Sequence, residues 1–294
     1  MSTARVYRSA DETKLVEGEF AFTGHDFQRI ASLLYGEAGI TLPEGKATLV
    51  YSRLAKRLRT LGLATFREYC DMVEAPDQLA ERQAMMAALT TNVTRFFREP
   101  HHFDLLKSQV LQPLAPAVRA GRRLRLWSAA CSSGQEPYSM ALTLLETLPD
   151  AGRLDVRILA TDIDPNMVAA ARNATYSEDL IEAIPAAMRS RWLERDPEAR
   201  HLWRLAQEVR DLVRVQPLNL IGDWPMKGRF DAIFCRNVVI YFDDATQERV
   251  WKRFAPILNP GARLYVGHSE RVGYEGSPFI SDGLTAWRVP GVLA

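Results

Sequence analysis

Apolar residues in the first third of the chain recur at helical spacing. Phe27, Ile30, Leu33 and Leu34 follow Thr23-Gly-His-Asp26, a T-x-x-D pattern that marks a capped helix start. Further helical patterns run over 46–61, 66–73 and 78–89, separated by Gly62 and by the Ala75-Pro76-Asp77 break. These predict a small all-helical unit over residues 20 to about 92. Residues 1–19 are polar, mixed in charge and without a period, and are expected to form a flexible tail.

From Arg123 onward the texture changes to short apolar, β-prone runs alternating with amphipathic helical stretches. Strands are predicted at 124–129, 156–161, 230–235 and 263–267, the last following an Asn259-Pro-Gly261 turn. Helices are predicted at 136–148, 165–173 and 245–258, and Pro165 suits the first position of the second. Such alternation predicts a doubly wound, mostly parallel α/β sheet over 93–294. Residues 174–215 interrupt it with a charged, Trp-containing segment, read as an inserted subdomain in which 201–205 and 212–215 pair as a hairpin.

Composition narrows the class. With 47% hydrophobic and 25% charged residues, 294 residues suffice for one large globular domain and one small one. A formal charge of +1 argues against global attraction to nucleic acid or anionic membrane. No stretch approaches the apolar run of about 18 residues that a membrane span needs, and the first twenty residues lack a signal-peptide core, so a soluble, cytoplasmic protein is expected. Cys70, Cys131 and Cys235 lie far apart with no C-x-x-C pair, which suggests neither a disulfide framework nor a zinc cluster.

Ligands of open α/β sheets sit at the carboxyl ends of the strands. After the first strand comes Ser128-Ala-Ala-Cys-Ser-Ser-Gly134-Gln-Glu136-Pro137, a run of small residues turning into a helix. A dinucleotide site would want G-x-G-x-x-G there, and only Gly134 is present. An acidic Glu136 at the helix start repels pyrophosphate but suits a cationic ligand with hydroxyl or amine donors, such as S-adenosylmethionine. The second strand ends at Thr161-Asp162-Ile-Asp164-Pro165, where Asp162 can accept both ribose hydroxyls of an adenosine while Asp164 caps the next helix. Asn219 and Arg236-Asn237 also stand at predicted strand ends, where cofactor reading and a capping or turn role are equally open.

Several segments together resemble the chemotaxis receptor glutamate methyltransferase family, often called CheR. They are Thr91-Asn-Val-Thr-Arg-Phe-Phe-Arg-Glu-Pro-His-His-Phe103, the Ser128–Ser139 run, Ala160-Thr-Asp-Ile-Asp-Pro165, Phe230-Asp-Ala-Ile-Phe-Cys-Arg-Asn-Val-Val-Ile-Tyr-Phe242 and Gly267-His-Ser-Glu270. The resemblance covers residue 20 to the C-terminus. It implies a helical N-terminal domain for receptor docking, joined to a Rossmann-like class I methyltransferase domain with a small inserted β-subdomain. It implies cofactor contacts from Asn92, Thr94, Arg98, Glu136, Asp162, Asn219, Leu220, Arg236 and Asn237, with Arg98 and Tyr241 beside the transferred methyl. The implied activity makes methyl esters of glutamates on the cytoplasmic helices of methyl-accepting chemotaxis receptors, leaving S-adenosylhomocysteine, and a monomer is expected. The sequence departs from the family pattern in two places. Arg95 stands where a small residue is usual, and no glycine occurs between Arg191 and Arg204, where some members carry a receptor-peptide loop.

A glutamate with pKa near 4.3 is already a nucleophile at neutral pH, so aligning oxygen, methyl and sulfur is the main task and no general base is required. Asn237 is followed by Val238-Val239 instead of Pro-Pro-aromatic, which argues against a base-amine substrate. Lys46, Arg53, Lys56, Arg57 and Arg59 form a basic stripe, read either as a solvated face or as a docking surface for acidic receptor helices. The same stripe would suit an RNA methyltransferase, and a cofactor-binding scaffold without transfer is the third reading. His101 and His102 lack ligand-spaced partners, so no metal is expected.

Overall fold

A computed structural model describes residues 14–292. They form two compact units, one built from residues up to Thr91 with Tyr241–Asp243, the other from Asn92–Ile240 and from Asp244 onward. The part of the expected tail before residue 14 lies outside the described residues. From residue 14 the chain departs from that expectation, because Lys14–Val16 forms strand β1, paired antiparallel with β2, Phe22–Thr23.

In the first unit, α1 (Gly24–Ala38) begins with the expected capping box. Thr23 Oγ1 accepts the Asp26 amide at 3.2 Å, and Asp26 Oδ2 accepts the Thr23 amide at 3.0 Å. Helices α2 (Ala47–Leu61), α3 (Phe66–Glu74) and α4 (Leu79–Leu89) come next. The four-residue spacing of Val50, Leu54 and Leu58 puts them on one face of α2, and all are fully buried, as are Phe22, Phe66 and Tyr69. Val16 pairs with Phe22 in the short hairpin, so the unit is helical apart from that strand pair.

The second unit opens with α5 (His101–Leu106), a wider π turn at Lys107–Leu111 and α6 (Gln112–Arg119), a helical stretch that the hydrophobic pattern does not announce. Then come β3 (Leu124–Ala129), α7 (Gln135–Thr147), β4 (Val156–Asp162) and α8 (Pro165–Asn173). The inserted segment contributes β5 (Thr175–Ser177), short helices α9 (Glu178–Ile181) and α10 (Ala186–Trp192), β6 (Leu193–Arg195), β7 (Leu202–Leu205) and α11 (Gln207–Asp211). After it run β8 (Val213–Pro217), β9 (Phe230–Cys235), α12 (Asp244–Phe254), β10 (Leu258–Val266), β11 (Ile280–Ser281) and β12 (Ala286–Arg288).

The expected hairpin of 201–205 with 212–215 does not form. Strand β7 pairs antiparallel with β5 and β6 in a three-stranded sheet of its own, whereas β8 joins the main sheet parallel to β4, with Ile158 opposite Val213. The main sheet runs β11-β12-β10-β9-β3-β4-β8, and β10, β9, β3, β4 and β8 are parallel. From central β3 the chain winds outward to β4 and β8, then returns to β9 on the other side. That reversal places the crevice at the carboxyl ends of β3, β4 and β9.

Candidate functional site

The turn after β3 is built from left-handed backbone. Ala130, Ser132 and Gly134 have φ of +66°, +50° and +99°. Gly134 is required twice over, since a Cβ there would also stand 2.8 Å from the Tyr176 hydroxyl and 3.1 Å from Ala171 Cα. We expect Gly134→Ala to lower unfolding free energy by about 2–4 kcal/mol, read by urea denaturation. Asp162, 6% exposed at the end of β4, ties this turn down: Oδ2 accepts the Ser132 amide at 2.7 Å and Oδ1 accepts the Asp164 amide at 2.9 Å. Asp164 caps α8 through Asn166 N–H at 2.8 Å and takes the Asn92 side-chain amide at 2.9 Å. The Asn92 carbonyl in turn accepts the Ser132 hydroxyl at 2.8 Å. Burial pushes the Asp162 carboxyl above the usual carboxylate range.

A second constellation stands at the start of α7 and the end of β9. Glu136 Oε1 accepts the Ser128 hydroxyl at 2.7 Å, and its Oε2 lies 3.3 Å from Arg236 Nη1. The Arg236 guanidinium, 1% exposed, also lies 3.5 Å from Glu99 Oε2 and donates to the Arg98 carbonyl. Yet Arg236 Nε and Nη1 make no hydrogen bond among the described residues. Burial raises the Glu136 carboxyl despite Arg236. At Glu99 burial works the same way, but Arg236 and His268 outweigh it and hold that carboxyl low. Arg236 is followed by Asn237 at φ +59°, whose amide is held by the carboxylate of Glu270 at 2.8 Å. Sequence reasoning does not single out Glu270 as a site residue, since its only signal there is the Gly267-x-x-Glu270 spacing.

Glu99, His101 and His102, neighbours along the chain, bring metal-ligating atoms within 4.8 Å of one another. The His102 ring is fully buried, shares Thr285 Oγ1 with His101 at 2.7 Å and is pushed down to about 2 by burial. The Arg236 cation already stands beside Glu99, so a second positive charge there is disfavoured.

The other expected residues are dispersed over both units. Arg98 is half-buried with Nη1 on the Val93 carbonyl at 3.1 Å, and Thr94 is half-buried. Asn219 Oδ1 accepts the Ile221 amide at 3.1 Å just beyond β8, and Leu220 is buried with its carbonyl on Arg253 at 2.9 Å. In the first unit, Tyr241 closes a 3-10 turn, and its carbonyl accepts the Thr41 amide at 2.8 Å. Of the basic stripe, Lys46 and Lys56 are exposed. Arg53 instead binds the carbonyls of Ala88, Leu89 and Thr90 at the end of α4, and Arg57 pairs with buried Glu81. Those two arginines are held inside their own unit by the carbonyls that end α4 and by a buried carboxylate.

Comparison with known proteins decides what this architecture is. Residues 92–285 match the CheR methyltransferase, SAM binding domain, and residues 25–90 match the CheR methyltransferase, all-alpha domain. The chain belongs to the CheR methyltransferase family. Among curated relatives, a probable chemotaxis protein methyltransferase of Rhizobium etli is 50% identical over 258 residues, 87% of this chain and 96% of the relative. A chemotaxis protein methyltransferase 2 of Pseudomonas aeruginosa is 43% identical, covering 92% and 94%. The chemotaxis protein methyltransferase of Escherichia coli is 41% identical, covering 91% of each chain. This CheR chain is therefore an S-adenosylmethionine-dependent methyltransferase with an all-helical domain ahead of a Rossmann-like one.

Its residues fit that cofactor. An amino-acid end carries an ammonium and a carboxylate on one carbon, and Glu136 beside the orphaned donors of buried Arg236 offers one charge of each sign at one place. Asp162 ends β4 with carboxylate oxygens of the kind that accept hydroxyls, and the G-x-G-x-x-G backbone of a pyrophosphate site is missing. Among the described residues, no helix is long and apolar enough to cross a membrane.

Proposed function

We propose that this CheR protein esterifies glutamate side chains on the cytoplasmic helices of chemotaxis receptors, working in the cytoplasm as a monomer. The observation that carries the reading is the acidic and basic charge set, Glu136, Asp162 and Arg236, at the crevice of a chain whose relatives at 41–50% identity are named chemotaxis protein methyltransferases. The sulfonium cofactor supplies an electrophilic methyl with a neutral thioether as leaving group. A receptor glutamate supplies the electron pair as an anion, so no group here has to remove a proton. Asp162 takes the ribose hydroxyls and Glu136 with Arg236 takes the amino-acid end. Asn92, Thr94, Asn219, Leu220 and Asn237 complete the cofactor contacts, and Arg98 and Tyr241 act at the reacting groups, on the strength of the family resemblance. Exposed Lys46, just ahead of α2, and exposed Lys56 on α2 are offered to acidic receptor helices.

Tritiated methyl from S-adenosylmethionine, followed into receptor cytoplasmic fragments, tests this. Label released as methanol by base, and absent with Tyr241→Phe or Arg98→Ala, supports carboxyl methylation by these residues. Label stable to base, or label on RNA with a steep salt dependence, overturns it.

Cofactor affinity should fall in acid. Because burial raises both Asp162 and Glu136, each takes up a proton at a pH above the ordinary carboxyl range of about 4. The bound cofactor favours both anions, so binding at low pH must expel those protons, and affinity drops as the pH is lowered and recovers as it rises. Equilibrium dialysis at stepwise lower pH reads the effect, with circular dichroism confirming an intact fold; affinity that holds down to the acid limit of the fold would sink it.

A further inference from the structure

The Gly267-His-Ser-Glu270 turn has no part in the chemistry described so far, yet it contains a carboxylate that is 4% exposed and holds four backbone amides. Glu270 Oε2 accepts the Asn237 N–H at 2.8 Å and the Gly267 N–H at 2.6 Å. Its Oε1 accepts the Val238 N–H at 2.8 Å and the Val239 N–H at 3.0 Å. Three of these donors are consecutive, and they begin at the left-handed Asn237 (φ +59°), a conformation that a residue with a side chain holds only when its surroundings impose it. Consecutive amides converging on one anion form a nest, here closed by a side chain of the same chain. The turn is shaped for this role, because a Cβ on Gly267 would stand 2.5 Å from Asn237 Nδ2 and 2.9 Å from Glu270 Oε2. Only glycine lets the carboxylate and the Asn237 side chain share that space. The Glu270 amide bonds back to the Gly267 carbonyl at 2.9 Å, which fixes the spacing of the two residues.

We propose that Glu270 is a positioning residue: by holding the Asn237–Val239 backbone it sets the direction in which Arg236 and Asn237 face the S-adenosylmethionine site. Arg236 leaves the end of β9 one residue before the clamped amides, and its side chain has almost no exposed surface in which to find another orientation. The proposal rests on the reading of Arg236 and Asn237 as cofactor contacts. A glutamine at position 270 is nearly isosteric but replaces one acceptor oxygen with an NH2 that faces donors, so two of the four bonds are lost while the volume stays.

The experiment uses the full chain and compares Glu270→Gln, Glu270→Asp and Asn237→Ala for cofactor binding, receptor-fragment methylation and melting temperature. Glu270→Gln is expected to raise Kd and KM for S-adenosylmethionine by about 10- to 100-fold, with KM for the receptor fragment and kcat at saturating cofactor nearly unchanged. Glu270→Asp, which keeps the charge on a shorter arm, should recover part of that loss. A folded Glu270→Gln that binds cofactor within about twofold of the parent overturns the proposal. So does a variant whose cofactor and receptor parameters fall together in step with its folded fraction. Should Glu270→Gln fail to fold, Glu270→Asp carries the test and must show a selective, smaller rise in cofactor KM, or the proposal fails. Asn237→Ala separates the two layers. If it binds cofactor like the parent, the cofactor reading of this loop falls and takes the positioning role with it; if it binds poorly while Glu270→Gln binds well, only the positioning role falls.

Discussion

Asp162→Ala is expected to lower S-adenosylmethionine affinity by at least about 100-fold and to abolish measurable methyl transfer, while leaving a folded protein. Two hydrogen bonds to a charged acceptor, at about 1.5–3 kcal/mol each, account for a loss of that order. The truncation also frees the Ser132 and Asp164 amides, and with them the left-handed turn that carries Gly134. Stability should move less than affinity. Asp162 is 6% exposed, and burial opposes its charged form, so removing it relieves an unfavourable buried charge as it breaks two hydrogen bonds. Calorimetric titration gives the affinity and a thermal scan gives the fold. Asp162→Asn refines the result, since it keeps the volume and one acceptor; retained tight binding in that variant would show that the charge is dispensable.

How far the sequence could be read depended on whether the signal was local. The first five residues of β9, Phe230 to Phe234, are apolar apart from Asp231, and the strand is legible from Phe230 to Cys235 without reference to its neighbours. The Thr23–Asp26 capping box is equally local. Partner choice is not. Val213–Pro217 alternates as an edge strand would in any sheet, and only the distant β4 determines that it lies in the main sheet and not against β7. The helices after Pro100 escape the pattern for a different reason. Pro113 stands in the first turn of α6 and Pro116 lies inside the helix, so proline along this stretch marks no boundary.

The same distinction applies to the site. Glu136 and Asp162 stand out in the sequence because one follows the small-residue turn after β3 and the other ends β4. Arg53 and Arg57 fall on the expected helix, yet their partners, the carbonyls ending α4 and the carboxylate of Glu81, lie 24 to 37 residues away, and no spacing rule along one helix reports them. Glu270 enters the sequence reading only as part of the Gly267-His-Ser-Glu270 stretch, because its partners are backbone amides, which carry no sequence signature.

Arg236→Met should be the most damaging single change in the second unit. Methionine fills much of the arginine's volume, so packing against Phe103 and Phe234, whose rings lie 5.8 and 5.9 Å from the guanidinium carbon, is largely kept. What is lost is the cation between Glu99 and Glu136, whose side chains retain only 14% and 13% exposure. Leaving a buried charge without its partner costs about 3–5 kcal/mol, more than removing a whole ion pair in favour of apolar groups. The variant should therefore melt well below the parent, bind S-adenosylmethionine at least about 100-fold more weakly, and push Glu99 and Glu136 upward in pKa. Stability and binding can be separated with the double variant Arg236→Met/Glu136→Gln, which removes one of the stranded charges. We expect it to regain part of the melting temperature and none of the cofactor affinity. If affinity returned along with stability, Arg236 would be a structural ion-pair partner and not a cofactor ligand. If Arg236→Met alone melted like the parent, the charge it leaves behind must be relieved by water or by protonation of Glu136, which titration of the variant against pH would detect as a proton taken up on mutation.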